Sequence, residues 1–319
     1  MSLFRHFSIT GKFITLALLV SATAWGILDC FQSRRIEEVF KRHIDRDLKI
    51  SARDDRELFD TYLASFRHSA RLLTTNRKLT QHFLSSEWNN RGENAVIHRR
   101  MPKWLPGRAV LRAMPLVHYF LLLDKDGRVG EIFSGDTEIV PHELRNPRPL
   151  FHQLSHNQTL LTRLDNEAFV VTSGIVLDEN NSVLGNLLLA SHLNRDFLSA
   201  SMQGMTRSHL IALIDNQSGL VVADTNPNVA LIGIPEDKLA MQYHVLGTSF
   251  FDYGASDLDA HFVSMIPREH YQKMGKEILE ADRWNRALTG GVILACLCVI
   301  LFTVTRRISK VTSRIDKFA

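Results

Sequence analysis

The chain has 319 residues, of which 45% are hydrophobic and 23% are charged, as in an ordinary globular protein. The formal net charge is +4, and five basic residues lie in the final segment 306–319. Since nucleic-acid binding uses a basic face spread over a domain, we expect no nucleic-acid partner.

Three cysteines are present, Cys30, Cys296 and Cys298, all within or beside apolar segments. Their positions exclude a disulfide framework and a CxxC zinc site in the roughly 250 residues between them. We expect all three to act as small hydrophobic side chains.

Two apolar segments are long enough to cross a bilayer whose hydrocarbon core is about 30 Å thick. They predict transmembrane helices at 13–31 and 287–304. The alternative for the first segment is a cleaved signal peptide, because Ala22-Thr23-Ala24 matches an A-x-A cleavage pattern. The helical pattern continues past that point without a break, which favours an uncleaved anchor.

Basic residues near the second apolar segment predict the orientation. Arg306 and Arg307 follow it directly, and cytoplasmic flanks of membrane helices are rich in Lys and Arg. We therefore expect residues 1–12 and 305–319 in the cytoplasm and residues 32–286 outside it.

Residues 34–86 show apolar positions at three-to-four spacing, which is typical of an amphipathic helix. Examples are Phe59, Leu63, Phe66 and Ala70. The pattern predicts a long stalk helix over 32–90, whose later part packs against a folded domain.

Two hairpins follow, each an apolar run, a polar turn and a second apolar run. They cover 118–133 and 168–193, and the same theme returns at 209–224 and 243–267. Asp124 and Asp215 hold equivalent places 91 residues apart, which indicates an internal duplication of a five-stranded antiparallel unit. Chance similarity between hairpins is the alternative. The predicted units are 91–200 and 201–286.

This order of elements, with LLLDKDG, LIDNQSG and FVSMIP in the strands, resembles the double Cache family of extracytoplasmic sensor regions over about residues 33–286. The resemblance implies an α+β fold with a long N-terminal helix and two PAS-like antiparallel sheets, flanked by two transmembrane helices. It implies a receptor of a bacterial inner membrane. The two apolar segments predict two membrane passes, and the stalk helix together with these segments predicts a parallel homodimer. The tail 306–319 resembles the start of a HAMP domain, although that family often has proline where Val311 stands.

The motifs that mark common enzymes, such as G-x-S-x-G and H-E-x-x-H, do not occur. Asp124 and Asp215 precede turns that contain glycine, where an Asx-turn is their expected role. His152 and His156 have a spacing that can hold a metal on a helix, but solvent-facing histidines are the favoured interpretation. We expect no catalytic residue, no metal and no cofactor.

The resemblance implies a small-molecule pocket in the first, membrane-distal unit. The candidate lining residues are Tyr119 and Leu121 on the first strand, Thr172 and Ser173 on the third, and Trp104 and Arg108 as a cover. Arg108 can pair with a carboxylate in a bidentate manner, and a tryptophan ring can stack on a ligand. The ordinary alternatives are core packing for Trp104, a surface position for Arg108 and strand packing for Tyr119. The pattern that binds amino acids in part of the family is not recognisable here.

We therefore expect the sensory part of a transmembrane receptor that binds a small molecule. The resemblance implies a histidine kinase, diguanylate cyclase or chemotaxis output. Two alternatives are a membrane-anchored scaffold protein without an output domain and a metal-dependent envelope enzyme that uses the His152/His156 region.

Overall fold

A computed structural model describes residues 9–92, 94–135, 139–154, 159–202, 209–250 and 258–315. The chain divides into two bodies by its internal contacts. The sheet body comprises Asp45–Pro267, and the helix-pair body comprises the residues up to Ile44 together with those from Arg268 onward. The predicted α+β class is confirmed by the elements below.

The described helices are α1 Ile9–Thr74, α2 Arg77–Phe83, α3 Ser86–Asn89, α4 Arg108–Arg112, α5 His142–Arg145, α6 Arg148–Gln153, α7 Arg195–Ser201, α8 Glu236–Gln242 and α9 Arg268–Ile315. The described strands are β1 Val96–His98, β2 Tyr119–Leu123, β3 Val129–Phe133, β4 Thr159–Leu164, β5 Glu167–Leu177, β6 Val183–His192, β7 Leu210–Asp215, β8 Val221–Asp224, β9 Tyr243–Phe250 and β10 Ala260–Pro267.

Helix α1 is continuous for 66 residues. Its residues Phe59, Leu63 and Phe66 are fully buried in the core of the sheet body, because apolar residues three or four apart share one helix face. The helical pattern predicted through residue 86 is interrupted near Asn76. The side chain of Asn76 accepts a hydrogen bond from the backbone N–H of Lys78 and so caps the separate helix α2.

Sheet A has the strand order β1-β3-β2-β6-β5-β4. The hairpins β2–β3 and β5–β6 are antiparallel, as the sequence predicts. Two features differ from the prediction of a purely antiparallel unit of five strands. The short strand β1 pairs with β3 in parallel, and β4 lies in a stretch for which no strand is expected.

Sheet B has the order β8-β7-β10-β9. The four inner strands of sheet A, β3-β2-β6-β5, have the same order. In both sheets the first strands of the two hairpins are β2 and β5 or β7 and β9, and the second strand of the later hairpin pairs with the first strand of the earlier one. The structure thus shows two sheets with equivalent connections in one chain. Residues 251–257, between β9 and β10, lie outside the described part of the chain.

The two equivalent turns use the same chemistry. Gly127 and Gly219 have φ of 75° and 65°, a region that glycine enters without strain. Asp124 Oδ1 accepts hydrogen bonds from the backbone N–H groups of Asp126 and Arg128, which confirms the predicted Asx-turn. Asp215 Oδ2 accepts from the N–H of Ser218 at 2.9 Å and also from Arg163 Nη2 at 2.6 Å. Arg163 belongs to β4, so this ion pair joins sheet A to sheet B.

The two faces of sheet A are covered by different elements. The helix face includes Phe120, Leu122 and Val170, and it shares one core with α1. The outer face includes Leu121 and Leu188, together with the side chains of α5 and α6 that cover it. Alternate residues of each strand therefore enter two separate cores.

In the helix-pair body, the first part of α1 contacts α9. The Phe40 and Tyr271 rings lie 5.5 Å apart between centroids, and the Trp25 ring occupies the space where a side chain on Gly290 would lie. Both helices are long and apolar enough to cross a bilayer. The chain is thus consistent with a two-pass membrane protein.

Candidate functional site

Three of the six predicted pocket residues share the outer face of sheet A. Tyr119, Leu121 and Ser173 are all nearly fully buried. Leu121 and Ser173 are both paired with Leu188 of the intervening strand β6, so their side chains lie in one row. The Tyr119 hydroxyl donates a hydrogen bond of 2.8 Å to the carbonyl oxygen of Ile139.

The other three predicted residues lie elsewhere. Thr172 is buried on the helix face, because adjacent strand residues point to opposite sides of a sheet. Trp104 is buried in the core that contains α1. Arg108 begins α4 and is exposed, and it lines a different cleft with Tyr62 and Phe120. The structure therefore brings together Tyr119, Leu121 and Ser173, and separates them from Trp104, Arg108 and Thr172.

Two buried polar atoms on the outer face lack a partner within the part of the chain that the structure describes. Among the residues that the structure describes, no hydrogen-bonding group reaches Ser173 Oγ or Asn186 Oδ1. Both side chains are 2% exposed, and their neighbours in the row are Leu121, Leu123 and Leu188. A buried polar group without a partner costs about 1–3 kcal/mol. Such a pair in an apolar layer is a candidate site for a polar ligand.

A chain of hydrogen bonds borders this face. His192 Nε2 lies 3.1 Å from the Tyr119 hydroxyl, and His192 Nδ1 lies 2.9 Å from Glu167 Oε2. The His192 ring also contacts Phe169 at 4.2 Å between centroids. Burial lowers the pKa of His192, and the nearby Glu167 carboxylate opposes that shift. The ring is therefore held between the Tyr119 phenol oxygen and the Glu167 carboxylate at the end of β6.

His118 is the second titratable ring at this position. Its Nδ1 lies 2.7 Å from Ser191 Oγ, and its ring centroid is 5.2 Å from that of His192. Burial, with a smaller contribution from the charge of His192, lowers the pKa of His118 from 6.5 to about 4. The ring is thus neutral in the folded protein at physiological pH.

Replacing His118 by asparagine should reduce the acid sensitivity of the fold. Because the folded-state pKa lies below the unfolded value, wild-type stability is full above pH 6.5 and is lost as pH falls to about 4. We expect the wild-type protein to lose about 2 kcal/mol more than the variant over that interval. Chemical denaturation at a series of pH values measures this difference, and parallel stability curves would contradict it.

A buried carboxylate organises the opposite face. Glu131 of β3 is 8% exposed. Its oxygens lie 2.7 Å from His82 Nε2, His98 Nε2 and Trp104 Nε1. Burial raises the pKa of Glu131, but these three hydrogen bonds outweigh burial and hold it well below its usual range. Trp104, predicted as a ligand cover, here donates to an internal anion.

The histidine pair predicted as an alternative metal site can be followed only in part. His152 lies in α6 and is exposed, whereas His156 lies outside the described residues. Within the ranges that the structure covers, no group of three His, Cys, Asp or Glu side chains has an arrangement that could hold a metal ion.

The residues predicted from the sequence do not include Glu131, Asn186 or His192. An unusual acidic residue inside the apolar strand VGEIF is the one local signal that marks Glu131. Asn186 shows the same signal, since it interrupts the apolar run of β6. A buried polar residue in a strand is informative because it needs a partner.

The solved structures that are similar to this chain include a periplasmic domain and ligand-binding domains of chemoreceptors. The periplasmic domain of Vibrio cholerae LuxQ is 12% identical with a TM-score of 0.45, covering 69% of this chain and 99% of that chain. The ligand-binding domain of the Pseudomonas fluorescens chemoreceptor CtaA, in complex with L-isoleucine, is 10% identical with a TM-score of 0.41. The match covers 76% of this chain and 98% of that chain. The ligand-binding domain of the Pseudomonas aeruginosa PAO1 amino acid chemoreceptor PctC, in complex with GABA, is 11% identical with a TM-score of 0.41. The match covers 70% of this chain and 100% of that chain.

No family model matches the chain, and no curated protein matches it. The solved structures to which it is similar include periplasmic and chemoreceptor ligand-binding domains.

Proposed function

We propose that this chain is the sensory part of a two-pass receptor of a bacterial inner membrane, and that a small molecule binds at the outer face of sheet A. The observation that carries this proposal is a pair of buried atoms, Ser173 Oγ and Asn186 Oδ1, for which the described residues provide no hydrogen-bond partner. A polar ligand that hydrogen-bonds to both atoms removes their desolvation penalty. Tyr119 and Leu121 provide aromatic and apolar surface beside them.

Signal relay follows from the continuity of the chain. Helix α1 extends from the first apolar segment into the core of the sheet body, and α9 begins directly after β10. A ligand that favours one arrangement of sheet A biases the helices joined to it. The ligand shifts the equilibrium between the two arrangements only by the difference between its binding free energies for them, so tight binding alone produces no signal.

The remaining parts of the proposal rest on the sequence. The tail 305–319 is proposed as the first helix of a HAMP linker, and the receptor as a parallel homodimer. The output is proposed to be a histidine kinase, a diguanylate cyclase or a chemotaxis signalling domain. The described region itself is proposed to bind rather than to catalyse.

Replacing Ser173 by alanine tests the ligand site. Removing an unpartnered hydroxyl should leave the unliganded protein equally stable or up to about 1 kcal/mol more stable. The same change should abolish the thermal stabilisation produced by any ligand found in a metabolite screen of the purified full chain.

The matched control is Thr172→Val, one residue away on the helix face, which should retain the full ligand response. A Ser173→Ala protein that is destabilised by about 1 kcal/mol or more, and still responds fully to the ligand, would show that Ser173 is structural and that the site lies elsewhere.

A further inference from the structure

A second feature of the sheet body is a cleft of about 800 Å³ beside β1 and β3. Among the described residues, four arginines line it, Arg91, Arg128, Arg145 and Arg148, together with one acidic residue, Asp124. Asn89, Asn94 and Asn146 add amide groups. The lining therefore combines many hydrogen-bond donors with a positive charge.

The charges of the cleft are only partly balanced. Arg91 Nη2 lies 3.6 Å from Asp124 Oδ2, so that pair is close to neutral. Asp124 is further engaged in its turn, where it accepts the N–H groups of Asp126 and Arg128. The side chains of Arg128, Arg145 and Arg148 are exposed, and among the residues that the structure describes Asp124 is the one acidic residue that lines the cleft.

The position of Arg91 is fixed by packing. Its guanidinium carbon lies 3.7 Å from the centroid of the buried Trp88 ring, and Nη1 donates a 2.7 Å hydrogen bond to the Trp88 carbonyl. A side chain on Gly130 of β3 would overlap the Trp88 ring and approach Arg91 Nε to 2.8 Å. Glycine at this position therefore permits the stack, which holds one guanidinium in place before any ligand arrives.

We propose that this cleft binds a small molecule with two or more negatively charged oxygens, the chemistry shared by organic phosphates and polycarboxylates. Guanidinium groups bind carboxylate and phosphate oxygens in pairs of parallel hydrogen bonds. Three exposed arginines require more than one negative charge for neutralisation, so a monocarboxylate leaves the cleft strongly positive. Divalent cations are repelled from it.

The role of such an anion as a sensed ligand rests on the proposed receptor function, whereas its binding does not. Ile132 lines the cleft and pairs with Leu121 of the outer face, so the cleft adjoins the Ser173 site within one sheet. If the receptor function is correct, an anion-binding cleft indicates that the recognised molecule carries a negative charge.

Isothermal titration of the purified full chain in nanodiscs tests this inference, with inorganic phosphate, citrate and acetate at constant ionic strength. Citrate or phosphate should bind, and acetate should bind much more weakly. The double variant Arg145→Gln/Arg148→Gln should weaken that binding by about tenfold or more, because two of the three exposed arginine charges are lost. Both side chains are exposed, so the variant should fold normally.

The matched control is Arg99→Gln/Arg100→Gln, which changes the net charge equally at two exposed arginines outside the cleft, and its affinity should equal that of wild type. Equal weakening in both double variants, equal binding of acetate, or no binding of phosphate or citrate at millimolar concentration would overturn the inference. If the anion binds without changing the distance between α1 and α9, the receptor proposal is contradicted, whereas the proposed anion site is still supported.

Discussion

Replacing Glu131 by glutamine should lower the free energy of unfolding by about 3 kcal/mol at neutral pH. Three donors, from His82, His98 and Trp104, converge on the Glu131 carboxylate. Glutamine offers one acceptor oxygen and places an amide donor where the second oxygen stood. At least one buried donor then loses its partner. Chemical denaturation of both proteins measures the loss.

The pH dependence provides an independent check on Glu131. Its pKa in the folded protein lies below the ordinary glutamate value of 4.5, so its stabilisation is complete above that pH and is lost as pH falls further. The difference between wild type and Glu131→Gln should therefore shrink in acid. Glu87→Gln, at an exposed position in α3, is the matched control. A Glu131→Gln protein as stable as this control would contradict the assignment.

Replacing Arg286 by glutamine should separate the two helices of the helix-pair body. Arg286 Nη1 lies 3.0 Å from Asp29 Oδ1, Nη2 donates to Ser33 Oγ at 3.0 Å, and Nε lies 2.7 Å from Asp282 Oδ2. The Arg286 side chain is 14% exposed. Removing it leaves two carboxylates near one another without their cation, at an expected loss of about 3 kcal/mol.

Spin labels at Val39 and Ile278, both exposed in the helix-pair body, measure how the loss of Arg286 changes the distance between α1 and α9. The distance distribution between them should be narrow in wild type and broad in Arg286→Gln. Neutralising the two carboxylates in an Asp29→Asn/Asp282→Asn background should partly restore the narrow distribution. Arg283→Gln, which alters an exposed neighbour, should have no effect. Equal distributions in both single variants would show that this ion-pair cluster does not hold the helices together.

Hairpins were predictable because their information is local. The runs that form β2–β3 and β5–β6 alternate with turn residues inside about 25 residues of chain, so periodicity and turn chemistry suffice. Strand β1 could not be found in this way. It has three residues, and its place depends on pairing with β3, more than thirty residues later.

The candidate site was predictable in part. The apolar strands marked Tyr119 and Leu121, but Thr172 and Ser173 cannot line the same face, since neighbouring strand residues point in opposite directions. The alternation of side chains along a strand is therefore sufficient to exclude one of Thr172 and Ser173 from the site. Trp104 is different, because its partner Glu131 is 27 residues away and the intervening chain is irregular. Likewise, the arginine cleft joins residues from three separate segments, and no local spacing predicts it.

Membrane topology is the most direct test of the account. A chain with Cys30, Cys296 and Cys298 replaced by alanine can carry one new cysteine, at Lys125 in the β2–β3 turn or at Arg307 in α9, both exposed. In intact cells with a permeabilised outer membrane, a membrane-impermeant thiol reagent should label the cysteine at 125, and should label the cysteine at 307 only after lysis. Labelling at 307 before lysis, or protection of 125 until lysis, would contradict a sensing body held outside between two membrane passes.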